Sequence, residues 1–318
     1  MCTNASADCP SNITGLTGVF PVCVYSFIFI VGLVFNVLAL VFFCCQTKSR
    51  SQTIVYMTNL AVADVLLTLT LPTRIYYHLG YAVHYQWLCE VHGLVLKANM
   101  YGSIFLLTCI CFDRCMAVSF PMSSRVQAGR KKAPLICLVI WMLTFGASLP
   151  IYLFQLKTRN TIPKDCFDSP PVFATKPVVV IPTLFLGFSI PLVIMLLCSW
   201  GLVRAVRQSS VAQTNMVDSR KIQRMIATSL LIFLLSFLPY HATLVLLSVY
   251  AENPPYPMQA AYRYSLMLAS LNSVLDPIAY YFTTDTFRQK LNIGAFWRMF
   301  PLNSQSSDVN NRGRMLNS

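Results

Sequence analysis

Arg224–Glu252 reads RMIATSLLIFLLSFLPYHATLVLLSVYAE, and between its two ends lies no Lys, Arg, Asp or Glu. A helix crossing the hydrocarbon core of a bilayer needs roughly 20 apolar residues, and this run supplies them. The same absence of charge recurs between Asp8 and Lys48, between Lys132 and Lys157, and between Lys176 and Arg204. Of the 318 residues 56% are apolar and only 11% charged, whereas about a quarter of a soluble domain is charged. A soluble enzyme, a disordered chain and a DNA-binding protein are poorly supported. The chain reads as an all-α, polytopic membrane protein.

Seven spans are expected, near Val19–Cys45, Thr53–Leu79, Leu88–Val118, Ala133–Phe154, Thr175–Val206, Ile222–Tyr250 and Ala261–Thr283. The net charge of +13 invites a nucleic-acid partner until it is located. Sixteen of the 24 basic residues fall in four segments: Lys48 and Arg50; Arg125 to Lys132; Arg204 to Arg224; and Arg288 to Arg314. These alternate with the spans so that all four lie on one side, which the excess of Lys and Arg marks as cytoplasmic. The charge is thus a topology signal beside anionic membrane lipid, and no nucleic-acid partner is expected. The N-terminus then lies outside and, with seven spans, the C-terminus inside, as suits the plasma membrane.

Residues 1–18 are expected to be an extracellular segment with glycosylation sequons at Asn4 and Asn12. It lacks the basic start of a cleavable signal peptide. Residues 19–284 form the bundle. Residues 285–300 include FRQKLNIGAFWRMF, whose mixed apolar and basic residues suit a short amphipathic helix on the inner leaflet. Residues 301–318 are Ser/Asn-rich and expected to be a disordered cytoplasmic tail.

Ionisable side chains within spans are costly and default to functional candidates. Here they include Asp64, Lys97, Asp113, Arg114 and Asp276. Pro72, Pro191, Pro239 and Pro277 fall inside spans, where each removes a backbone hydrogen bond and kinks its helix. Such kinks either shape packing or mark movable parts. Seven cations lie in the outer half: Arg74, Lys97, Lys157, Arg159, Lys164, Lys176 and Arg263. An unpaired cation in an apolar span is expensive, and a bound anion relieves the cost. Arg74 could instead snorkel to the interface; Lys97 lies too deep for that. Tyr76, Tyr77, Met100, Tyr101, Phe105, Phe185, Phe188, Leu244 and Leu247 offer an apolar lining between the cations. An anionic head on an apolar body fits both halves, with Arg74, Lys97, Arg263, Tyr101 and His241 as the ligand set.

Across Tyr25 to Phe300 the motifs resemble the rhodopsin-like family of G-protein-coupled receptors. They comprise Gly32 and Asn36, Leu60-Ala61-Val62-Ala63-Asp64, Asp113-Arg114-Cys115, Trp141, Pro191, Phe237-Leu238-Pro239 and Asp276-Pro277-Ile278-Ala279-Tyr280, in order. The resemblance implies a seven-transmembrane bundle with heterotrimeric G protein, arrestin and receptor kinases as partners. It implies an inner switch of Asp113, Arg114, Pro277 and Tyr280, with Asp113 neutralising Arg114. Asp64, Asn99, Ser103, Asn272 and Asp276 would converge as a sodium pocket, with Asp64 the principal ligand; the alternative is a protonated, hydrogen-bonded carboxyl cluster. No other cofactor is implied. Cys89 and Cys166 match the family disulfide. Cys115, Phe237 and Asp276 depart from commoner Tyr, Trp and Asn, and Ser199 stands where many members have Tyr.

Asn99 to Ile110 and Asp276 to Phe282 are similar to the purinoceptor-related branch of lysophosphatidic acid receptors and neighbouring orphans. Leu96 stands where amine receptors place Asp, and Leu244 leaves out the basic residue that nucleotide receptors carry three after His241. The resemblance therefore favours a receptor for a lysophospholipid. Proton or nucleotide sensing and ligand-free activity stay open within the class, and a transporter is the alternative outside it, although no internal repeat is found.

Overall fold

The computed structural model describes residues 11–45, 51–120, 122–158, 166–167, 175–208, 213–250 and 255–283. Their order is α1 (Ser11–Cys45), α2 (Gln52–His78), α3 (Gln86–Ser119), α4 (Ser124–Arg130), α5 (Ala133–Thr158), α6 (Pro177–Leu184), a π turn (Phe185–Ser189), α7 (Ile190–Gln208), α8 (Gln213–Val249) and α9 (Tyr256–Thr283). No strand occurs among the described residues. Helices satisfy every backbone group within one segment, which is what a chain in lipid requires.

Six helical stretches are long and apolar enough to cross a bilayer: Gly18–Cys44, Gln52–His78, Trp87–Ser119, Ala133–Pro150, Pro177–Arg204 and Ile222–Val249. They match the first six expected spans. α9 has 28 residues, and it buries Ser265, Ser270, Asn272, Ser273 and Asp276, which thin its apolar character. Several helices overrun the expected ends: α1 starts at Ser11, α8 at Gln213 and α9 at Tyr256. Hydropathy marks only the hydrocarbon crossing, whereas a helix continues through the headgroup layer. Asn12 accordingly falls in the first turn of α1. Asn4, residues 285–300, residues 301–318 and the outer cations Arg159 and Lys164 lie outside the described residues, as do the side chains of Lys157 and Tyr280.

The bundle is apolar outside and polar within. Phe27, Ile30, Val34, Val41, Leu138, Leu143, Leu197 and Leu235 are exposed, while Asn36, Asp64, Asn99, Ser103, Asn272 and Asp276 are buried. α3 packs against α2, α5, α7 and α8; 72% of its spanning window is buried against 28% for α5, so α3 is the central post. Lipid offers no hydrophobic drive between helices, so close approach and polar contacts hold them. Gly32 is such an approach: a Cβ there would sit 3.0 Å from Thr68 Cγ2 and 3.1 Å from Ser273 Oγ. One turn on, Asn36 Nδ2 donates to Gly32 O (2.9 Å) and Ser273 O (2.7 Å). These contacts seat α1 against α2 and α9 and close the ring.

Pro72, Pro239 and Pro277 lie inside α2, α8 and α9. Pro191 is the second residue of α7, just past the π turn; the wider turn accommodates a residue that cannot donate to the helix ladder.

Candidate functional site

At the end of the bundle that carries the Cys89–Cys166 disulfide, two cations are enclosed by aromatic rings. Arg74, just over one turn before the end of α2, is 3% exposed, so it does not snorkel. Its Cζ lies 4.6 Å from the Phe167 centroid and 6.0 Å from the Tyr25 centroid. Phe167 directly follows Cys166, so the disulfide holds the ring over the guanidinium. Lys97, half-buried on α3, donates to the Tyr240 hydroxyl. Its Nζ lies 3.8 Å from the Tyr240 centroid and 5.9 Å from that of Tyr262. Cation–π contacts offset part of the cost of burying these charges.

Arg74 and Lys97 repel each other, and neither has a carboxylate partner among the described residues. The electrostatics therefore favour an anion between them. Tyr101, four residues after Lys97 and on the same helix face, is hydrogen-bonded to Tyr240. Its ring lies 5.9 Å from that of His241, which in turn stacks on Phe188 at 4.4 Å. Arg263 follows Tyr262 on α9 and is half-buried; Tyr262 is the residue that lies against the two cations.

Lys97, Tyr101 and His241 thus gather around Tyr240, with Arg74 in electrostatic reach of Lys97. Met100, Phe188, Leu244 and Leu247 are buried, but Tyr76 (46% exposed) and Phe185 (61%) are not part of a lining. Tyr76 stacks on Tyr81 at 4.7 Å, and Phe185 opens the π turn facing outward. Residue type alone suggests both, but the helix rotation points them away. Tyr240, Tyr262 and Phe167 were missed. The spacing from Pro239 and the step after Cys166 were the signals that could have placed Tyr240 and Phe167.

Mid-bundle, Asp64, Asn99, Ser103, Asn272 and Asp276 are all at most 2% exposed, and Asp276 lies against Asp64. Asn99 Nδ2 donates to Asp64 Oδ1 (3.1 Å). Asp64 Oδ2, both Asp276 oxygens, Asn99 Oδ1, Asn272 Oδ1 and Nδ2, and Ser103 Oγ have no hydrogen-bond partner among the described residues. Buried polar atoms are seldom left so. No group of three or more His, Cys, Asp or Glu that could hold a metal exists among the described residues. An ion here would rest on two carboxylates plus neutral oxygens. An all-oxygen donor set suits a small hard cation, so the residues fit the expected sodium pocket.

At the opposite end the expected pairing of Asp113 with Arg114 does not form. Arg130 of α4 donates to Asp113 from Nε (2.6 Å to Oδ1) and Nη2 (3.1 Å to Oδ2). Thr53 Oγ1 also donates to Asp113 Oδ2 (2.6 Å), whereas Arg114 Nε has no partner among the described residues. Adjacent helix residues point about 100° apart, so sequence neighbours rarely share a partner. Arg130, by contrast, presents a planar fork matched to a carboxylate. The Asp113 carboxylate pushes the guanidinium of Arg130 further above its ordinary value, so this pair does not titrate from the arginine side in any physiological range. Pro277 is buried in α9. Ser199 donates to Met195 O (2.8 Å) in its own helix.

The family model described as 7 transmembrane receptor (rhodopsin family) matches residues 35–280. Lysophosphatidic acid receptor 6 of Gallus gallus is 34% identical over 280 residues, covering 83% of this chain and 90% of that receptor. Lysophosphatidic acid receptor 4 of Homo sapiens is 32% identical over 288 residues, covering 87% and 77% respectively. Cysteinyl leukotriene receptor 1 of Homo sapiens is also similar, at 32% over 301 residues, 91% of this chain and 89% of that receptor.

Proposed function

Because the chain belongs to the rhodopsin family of seven-transmembrane receptors, we propose that it senses an anionic lipid, foremost a lysophosphatidic acid, and signals through heterotrimeric G proteins. One observation carries the ligand class: Arg74 and Lys97, close enough to repel, are surrounded by aromatic faces without a carboxylate among the described residues. Phosphate takes a bidentate pair of hydrogen bonds from Arg and a point charge from Lys. The acyl chain lies against the apolar side chains, including Phe188, Leu244 and Leu247. Two relatives bear lysophosphatidic acid receptor names, which agrees with this chemistry. The family match lends nothing to the transporter alternative.

A ligand shifts a two-state bundle only by binding one state better. Phosphate bridging α2 and α3 beside Tyr240 of α8 favours the arrangement that draws these helices together. At the opposite end, a shift of α3 against α2 and α4 loosens the contacts of Asp113 with Thr53 and Arg130 and frees that face for the G protein. Mid-bundle, Asp64, Asn99, Ser103, Asn272 and Asp276 would hold a sodium ion in the resting state. When bound, the ion neutralises one carboxylate charge. The residues' own part is to present oxygens from α2, α3 and α9 that separate when the helices move.

The test is G-protein dissociation in cells, with surface receptor quantified. Lys97→Ala and Arg74→Ala lower the potency of 1-oleoyl lysophosphatidic acid by at least about 30-fold each, since a charge-assisted hydrogen bond to an otherwise buried anion is lost. Unchanged potency at normal surface level removes the two cations from the ligand site.

A further inference from the structure

His241 sits on α8 directly after Tyr240, the residue that receives the Lys97 hydrogen bond. Its ring stacks on Phe188 at 4.4 Å and meets Tyr240 at 5.1 Å and Tyr101 at 5.9 Å. Its Nδ1 lies 2.8 Å from Phe237 O. A carbonyl oxygen only accepts, so Nδ1 carries the hydrogen, and in the neutral ring Nε2 is then a lone-pair acceptor. That Nε2 is buried and has no hydrogen-bond partner among the described residues; the whole residue is 2% exposed. The neighbouring Tyr240 and Tyr101 hydroxyls are bonded to each other. An acceptor orphaned in an aromatic box is a cost the fold does not relieve by itself.

We propose that His241 is a specificity-determining residue whose Nε2 accepts a hydrogen bond from a free hydroxyl on the ligand. This rests on the reading of Arg74 and Lys97 as the phosphate site. Lys97 Nζ lies 3.8 Å from the Tyr240 centroid, which is itself 5.1 Å from the His241 ring, so a phosphate on Lys97 needs only a short linker to reach the imidazole. A glycerol backbone meets that demand. It places a hydroxyl on the carbon next to the phosphate-bearing carbon, with the acyl chain one carbon further. The ligand class is therefore narrowed to lysophosphatidates with that hydroxyl unesterified. A site built to bond a hydroxyl rejects the analogue lacking it more strongly than an apolar site discriminates by shape, because its own polar atom stays unpaired.

The experiment compares 1-oleoyl lysophosphatidic acid with its 2-deoxy and 2-O-methyl analogues by G-protein dissociation in cells expressing the full chain. On the unaltered receptor both analogues are weaker by at least about tenfold. His241→Phe keeps the ring stack and removes the acceptor; the parent lipid then falls to the potency of the 2-deoxy analogue, whose own potency barely moves. His241→Gln, which regains a side-chain oxygen, restores part of the preference. Equal potency of the three lipids on the unaltered receptor overturns the role of His241 and leaves the phosphate site standing. So does an equal loss for all three in His241→Phe. Silence towards all three lipids overturns the anionic-lipid reading and this inference with it. The contrast on the unaltered receptor needs no variant, so a misfolded substitution does not blunt the test.

Discussion

Three hydrogen bonds converge on the Asp113 carboxylate, two from Arg130 of α4 and one from Thr53 of α2, so its two donor residues stand on different helices. Such a carboxylate pins α3 to α2 and to the short α4, whose first turn is capped by Ser123 Oγ accepting from Val126 N (3.4 Å). Removing Arg130 leaves the carboxylate with Thr53 alone, at a cost of about 1–2 kcal/mol once discounted for the partial exposure of the arginine. Arg130→Ala is expected to raise ligand-independent G-protein signalling several-fold, and Thr53→Val to do so more weakly. Basal signalling unchanged in both variants would show that this contact does not hold the resting state. Arg130→Lys keeps the charge but not the fork, so it falls between. At this scale the sequence reveals the carboxylate but not its partner. Asp113 and Arg114 are identifiable as ionisable groups inside a span, whereas Arg130 reads as one of several loop cations until α4 folds back.

The π turn at Phe185–Ser189 is the element that shapes the ligand end. It rotates the helix between α6 and α7, so that Phe188 turns inward onto His241 and Phe233 while Phe185 turns outward. Gly187 sits at its centre because a Cβ there would lie 2.9 Å from Tyr101 Cε1. Gly187→Ala therefore displaces the Tyr101 ring, a far end that can move, and disturbs the Lys97–Tyr240–Tyr101 hydrogen bonds more than it disturbs the fold. The expected result is a potency loss of about fivefold to tenfold with surface expression retained, since overpacking costs about 1–3 kcal/mol where a neighbour must shift. A matched loss of expression would instead mark Gly187 as a folding residue. Four charge-free runs and two further, sparsely charged apolar stretches make six helices legible from residues alone, because burial in lipid imposes one rule on every span. The π turn is not legible in that way. Pro191 signals an interruption, but the extra residue in the turn is set by packing against α3, and that packing is also what spoils the assignment of Phe185 to a lining.

Across the whole molecule a buried polar column runs from the α1–α9 contact to the middle of the bundle. Asn36 Nδ2 donates to Ser273 O (2.7 Å), Gly32 lets Ser273 and Thr68 approach, and Asn272 and Asp276 lie one turn apart on α9. The residues of this column are readable in the sequence as oxygen-bearing side chains within spans. Their convergence is not, since it needs the ring of helices to close. Two carboxyl groups side by side in a dry interior cannot both keep their charge without help; a sodium ion or a proton supplies it, and the two differ in what they predict. A bound ion stabilises the folded receptor by mass action, by about 1.4 kcal/mol when its concentration is tenfold above its dissociation constant. Purified receptor should therefore melt several degrees higher in sodium chloride than in choline chloride at equal ionic strength and fixed pH. Asp64→Asn keeps the shape and the hydrogen bond to Asn99 but removes the charge that attracts a cation, so its melting temperature should be the same in both salts. If the unaltered receptor also melts identically in the two salts, the shared proton is the better account of Asp64 and Asp276.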